Sequence, residues 1–218
     1  MSHQLYQYLA VLDFEATCLE GQLMQPQEVI EFPTVLVDTA TLTVVDEFHE
    51  YVRPTVHPTL SPFCTTLTGI QQSTVDISSA FPEVFARYLR WLEGVLAKGS
   101  VLFVTCGDWD LKTMLPTQCH NLGLSVPPVF ATWCNIKRQF EGAFPKHRMH
   151  SMPQMLTDLG LPLIGHHHNG LDDSRNIAAA ARELMRRGAV FDATNDKKLP
   201  KKGKGLPFMV NVHAKVKR

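Results

Sequence analysis

The chain has 218 residues, 44% hydrophobic and 19% charged, which suits one domain with a substantial core and does not call for two. No stretch approaches 18 consecutive apolar residues, so no membrane-spanning helix is expected. Met1-Ser2-His3-Gln4 carries no secretory pattern, and the five cysteines are scattered, odd in number and without a C-x-x-C pair. A disulfide framework and a cysteine zinc site are both unexpected, and the chain reads as intracellular, cytoplasmic or nuclear.

The formal net charge of zero hides an asymmetry. Residues 195–218 hold eight Lys/Arg against one acid, Asp196, for about +7, and residues 1–194 balance them with about −7. The expected division is a body of residues 1–194 and a basic tail of residues 195–218. A protein that only binds nucleic acid normally shows a basic face. An acidic body fits acids gathered around metal ions, with the tail drawing in phosphate. The tail reads equally well as a solvated end or an import signal.

In chain order, Tyr8 to Phe14 is a short apolar run ending in an acid, as a buried central strand would be. Val29–Val37 and Thr43–Val52 read as two further strands joined by a turn at Asp38-Thr39-Ala40. Residues 54–79 are rich in Pro, Ser and Thr and read as loop with short helical pieces. From Ser79, apolar residues at three- and four-residue steps (Phe81, Val84, Phe85, Tyr88, Leu92) predict a helix to about Ala97, stopped by Gly99. Val101–Thr105 is another buried strand. Helices are expected near 110–122, 132–141, 151–159 and 172–187. This order implies a mixed sheet flanked by helices, an α/β domain.

Three segments place acids where such elements begin or end. In Asp13-Phe14-Glu15, strand alternation puts both carboxylates on one face, where they repel unless a cation lies between them. Asp-x-Glu alone is weak; its position right after Leu9-Ala10-Val11-Leu12 is what gives it weight. The second segment is Asp108-Trp109-Asp110. Either acid would serve as a helix cap, Asp108 more readily than Asp110, and Trp109 is core or a platform for a base.

The third segment runs His166-His167-His168-Asn169-Gly170-Leu171-Asp172-Asp173. Three adjacent histidines suggest zinc, but consecutive residues do not easily face one ion, and no other Cys/His spacing completes a tetrahedral set. A loop histidine, a glycine and an acid opening a helix fit better. Asp13, Glu15, Asp110 and Asp173 with one histidine then form a hard oxygen-rich set suited to Mg²⁺ or Mn²⁺. Two such ions about 4 Å apart clamp the oxygens of a phosphodiester displacement. A neutral histidine takes the proton of the attacking water, so activity should rise with pH through the imidazole range.

Asp13-Phe14-Glu15-Ala16-Thr17-Cys18, Cys106-Gly107-Asp108-Trp109-Asp110-Leu111 and His168 through Ala178 resemble the three motifs of the DEDDh exonuclease superfamily. With Pro62-Phe63-Cys64-Thr65-Thr66-Leu67-Thr68-Gly69-Ile70, they are most similar to its Eri branch, that of the 3′ histone-mRNA exonuclease. The resemblance covers about residues 8–191. It implies an RNase H-like fold with a five-stranded mixed sheet, and release of nucleoside 5′-monophosphates from single-stranded 3′ ends or 3′ overhangs. It implies that Asp13, Glu15 and Asp173 hold a first metal, that Asp13 is shared with a second, and that Asp110 reaches the second. It makes His168 the general base and turns Glu15, Ala16 and Trp109 toward the terminal nucleotide, with a Glu15-region contact to the ribose 2′-hydroxyl favouring RNA.

The five-residue step from histidine to acid is met by both His168→Asp173 and His167→Asp172. The Asn176-Ile177-Ala178 run that follows favours the first, leaving His167 and Asp172 at the surface or behind the ligands. The expected partner is RNA with a free 3′ end. Competing readings are a DNA 3′–5′ exonuclease on the same fold, a catalytically silent RNA-binding scaffold, and a zinc protein built on the histidine run.

Overall fold

A computed structural model describes residues 3–144 and 151–195; the basic run from Lys197 onward lies outside the described residues. The first apolar run forms β1 (Tyr8–Val11), which stops at the acids; Glu15–Ala16 then forms the two-residue β2. Both pair antiparallel with β3 (Val29–Asp38), whose other edge takes β4 (Thr43–Tyr51). β1 pairs parallel with β5 (Val101–Thr105), and β5 with β6 (Trp133–Asn135).

The sheet therefore has six strands where five were expected. The cause is a break in the first strand. The register runs on unchanged from Tyr8↔Asp38 through Val11↔Val35 to Glu15↔Glu31. Between them the Leu12 amide bonds to Val104 O at 3.0 Å, while that of Phe14 turns to the Asp110 carboxylate. β1 and β2 thus share one lateral position, and the sheet is five positions wide.

Alternation along these strands splits the core in two. Ala10, Leu12, Phe14, Phe32 and Phe103 face α3 (Phe81–Leu96), the expected amphipathic helix. Its N-cap is Ala80, one residue past Ser79 and without a side-chain cap. Phe32 centres this layer, with ring centroids 4.7 Å from Phe14 and 4.3 Å from Tyr88. Leu9, Val11, Val35, Val37 and Val104 face the other way, against α6 (Met152–Leu159) and α7 (Gly170–Arg186). By parity Asp13, Glu15 and Glu31 belong to this second face, at the N-terminus of α7.

The loop region at 54–79 does contain short helices, α1 (Pro62–Thr68) and α2 (Gln72–Asp76). Ser61 caps α1 by accepting from the Cys64 amide at 3.0 Å, and Gly69 closes it at φ 77°. The helix expected at 110–122 opens with a π-helical turn, Asp110–Met114, before α4 (Leu115–Asn121). Pro116 has no amide to donate back to residue 112, which favours the wider turn. The stretch 132–141 corrects the expectation of a helix throughout. Trp133-Cys134-Asn135 is buried strand, and only α5 (Ile136–Ala143) is helical, with Asn135 accepting from the Lys137 amide at 3.1 Å. Pairing with β5 overrides the local pattern there.

Candidate active site

The break between β1 and β2 delivers Asp13 and Glu15, both half-buried, to the face met by α7. Helix α7 starts with its backbone on the Asp13 backbone. A Cβ added at Gly170 would lie 2.7 Å from Asp13 O, so only glycine allows this approach. The fourth residue of α7 is Asp173, 2% exposed. Oxygens of Asp13, Glu15 and Asp173 all lie within 4.8 Å of one another. The structure brings three of the four expected ligands into one cluster.

Asp110 stands at its edge. It is buried at the start of the π-helical turn, and its Oδ1 accepts the Phe14 amide at 3.0 Å, between the two acids of the first segment. Asp108 is neither a cap nor a member of the cluster. Its Oδ1 accepts from Trp133 Nε1 at 3.0 Å and its Oδ2 from Arg138 Nη2 at 2.7 Å, fastening the end of β5 to β6 and α5. Trp109 is half-buried against the α3-side core, and Ala16 is buried in the same layer.

The three histidines do not converge on one point. His166 turns away, its Nε2 3.0 Å from Leu67 O, while its amide donates to Asp172 Oδ2 at 2.8 Å. Asp172 therefore orders the histidine loop. A Cβ at Gly165, where φ is 78°, would fall 2.1 Å from that same Oδ2. His168 is 8% exposed and has φ 74°, a conformation costly for a non-glycine residue. Its amide donates to Asp173 Oδ2 at 3.0 Å, which holds it in that turn.

His167 takes a larger part than a surface position would. Its Nδ1 lies 3.1 and 3.0 Å from the two Asp173 oxygens, and its ring stacks on His168 at 4.0 Å. A carboxylate only accepts, so this nitrogen carries the proton. His167, His168 and Asp173 form a second possible metal trio, and Asp173 belongs to both trios.

Sequence reasoning missed Glu31. It is completely buried and is the direct cross-strand partner of Glu15. Its Oε2 accepts the Gly170 amide at 2.8 Å; its Oε1 accepts the Leu171 amide at 3.2 Å and meets His49 Nε2 at 2.8 Å. The available signal was a carboxylate in the otherwise apolar run Val29-Ile30-Glu31-Phe32. Carboxylate charge at this face is felt by its neighbours. Burial and then Glu31 push the Tyr51 phenol up, against a hydrogen bond with Asn169 that lowers it. The Cys18 thiol is pushed up by its hydrogen bond with Cys64, by burial and, in smaller part, by Glu15.

The profile of the Exonuclease family matches residues 10–181, spanning every residue of this site. The chain belongs to that family. Within it the chain is similar to Eri exoribonucleases. It is 46% identical over 198 residues to ERI1 exoribonuclease 3 of Mus musculus, covering 88% of this chain and 58% of that protein. The chain thus spans little more than half the length of that relative. It is 34% identical over 213 residues to the 3′-5′ exonuclease Snipper of Drosophila melanogaster, covering 90% and 75%. The nuclease domain of 3′hExo, a DEDDh family member solved bound to rAMP, superposes with a TM-score of 0.84 at 36% identity, covering 88% of this chain and 98% of that one. The fold of this exonuclease-family chain is accordingly the RNase H-like DEDDh fold.

Proposed function

We propose that the chain is a metal-dependent 3′–5′ exoribonuclease that releases nucleoside 5′-monophosphates from RNA 3′ ends. The observation that carries this is the convergence of Asp13, Glu15 and Asp173 within 4.8 Å, with Asp110 and His168 alongside. These hard carboxylate oxygens fit Mg²⁺, with Mn²⁺ as a substitute. Asp13, Glu15 and Asp173 would hold one ion, and Asp13 and Asp110 a second. When bound, such ions polarise the scissile phosphate and stabilise the charge that develops on its oxygens.

The protein's own groups do the rest. His168 takes the proton of the attacking water as general base. His167 fixes the orientation of Asp173 through the hydrogen bond to its carboxylate. Glu15 and Ala16 meet the terminal nucleotide, and Trp109 offers it the part of its ring left outside the core. A 2′-hydroxyl contact from the Glu15 region favours ribose. The rAMP bound by the 3′hExo nuclease domain supports a ribonucleotide at this site. The residues from Lys197 onward would add electrostatic attraction for phosphate, and an intracellular location, cytoplasmic or nuclear, goes with this substrate.

The experiment compares single-turnover rates on 5′-labelled RNA and DNA of the same sequence with a free 3′ end. Faster shortening of the RNA is expected. Equal rates, or faster shortening of the DNA, would replace this reading with a DNA exonuclease on the same fold.

A further inference from the structure

We propose that Glu31 is a positioning residue that sets where Asp173 stands relative to Asp13 and Glu15, and thereby how tightly the site holds its divalent cations. The inference rests on the metal-dependent reading above and deepens it.

Glu15 and Glu31 face each other directly across β2 and β3. Like charges so placed are destabilising unless each has its own compensation. At Glu31 the compensation is visible. The carboxylate is fully buried, and three donors meet it: the first two amides of α7 and His49 Nε2, all within 3.2 Å. Both oxygens are engaged, and the positive end of the α7 dipole lies against them. Glu31 is therefore an anchor for the helix and is not available as a ligand.

What it anchors is the helix that carries Asp173, three residues beyond Gly170. The anchoring point is tight, because Gly170 sits against both Asp13 O and Glu31 Oε2. Asn169 reinforces it, its side chain accepting from the Asp172 amide at 3.1 Å. Moving the start of α7 would shift Asp173 away from the two carboxylates on the β1–β2 strand. The groups behind a metal's ligands commonly change metal affinity about 10- to 100-fold when lost.

Glu31→Gln keeps the shape but removes the charge and points an N–H₂ at a backbone donor. The test is the Mg²⁺ concentration for half-maximal RNA trimming, together with the rise in Tm when Mn²⁺ is added to the full chain. Glu31→Gln should raise the first about tenfold or more, leave KM for RNA unchanged at saturating Mg²⁺, and shrink the second. His49→Ala, at a side chain 26% exposed, should shift both in the same direction by less, and it decides the matter if Glu31→Gln does not fold. Wild-type metal responses in the folded variants would overturn the proposal alone, and so would a lower Tm with the Mn²⁺-induced rise and the Mg²⁺ midpoint unchanged. A wild-type protein with neither response would overturn the metal-dependent reading as well.

Discussion

The Phe14 amide donates to Asp110 Oδ1 at 3.0 Å, joining two acidic segments that lie 96 residues apart in the chain. The Phe14 ring meanwhile packs edge-on to Phe32 in the opposite layer. One residue thus fixes the second segment against the first and holds the flanking Asp13 and Glu15 on the α7 face. The aromatic layer under α3 thereby backs the strand that carries the two acids.

Asp13→Asn should abolish turnover, because Asp13 is the residue assigned to both metal ions. Asp108→Asn should keep turnover per folded molecule and lose about 1–3 kcal/mol of stability, since Arg138 and Trp133 keep their donors and lose a charged acceptor. Denaturant unfolding beside initial rates separates the two variants. Equal loss of rate in both would mean that Asp108, and not Asp110, serves the centre.

His168→Ala should lose about 100-fold or more in kcat with RNA affinity retained, as expected for loss of a general base. His167→Ala should be milder and should show mainly as a higher Mg²⁺ requirement, because its contact is with Asp173. Single-turnover rates and equilibrium binding measured separately check both. The reverse ranking would make His167 the base.

Phe32 has ring contacts with Phe14, Phe48, Phe81, Phe85 and Tyr88 and is completely buried. Phe32→Ala should cost about 3–5 kcal/mol, read from the shift of the urea midpoint. Activity at low temperature should fall less than stability if the carboxylates keep their places.

Stability should fall as pH rises from about 9 to about 11. Burial raises the Cys119 thiol from 9.0 to about 11, so above pH 9 the unfolded chain releases a proton that the folded chain keeps. The contribution is complete below the unfolded value and lost through the folded one. Burial raises the Tyr88 phenol as well, which extends the loss to higher pH. Cys119→Ala should flatten this limb in Tm measured against pH, and an unchanged slope would show that the thiol does not cause it.

Part of the site could be read from the chain because its first pair of acids follows an uninterrupted apolar run. Leu9-Ala10-Val11-Leu12 marked a central strand, and alternation alone placed Asp13 and Glu15 together. The loop-to-helix pattern around Gly170 left Asp172 and Asp173 both open, and the resemblance of the Asn176-Ile177-Ala178 run to the family motif favoured Asp173. The features not legible depend on contacts distant in sequence. β6 is three residues long and is a strand only because β5 pairs with it. The break that makes six strands of five positions depends on a bond from Phe14 to Asp110. Glu31 lies in a strand whose pattern calls for an apolar side chain, and its partners are 18 and about 140 residues away. The position of His167 on Asp173 depends on the left-handed turn at His168, which no local residue preference announces.

The deciding measurement is incubation of the protein with 5′-labelled single-stranded RNA in Mg²⁺ or in EDTA, beside Asp13→Asn. A ladder that shortens from the 3′ end with Mg²⁺, and is absent with EDTA and in the variant, is the expected result. Intact RNA with Mg²⁺ or Mn²⁺ in the presence of folded protein would contradict the assignment and favour an RNA-binding scaffold that keeps the fold without the chemistry.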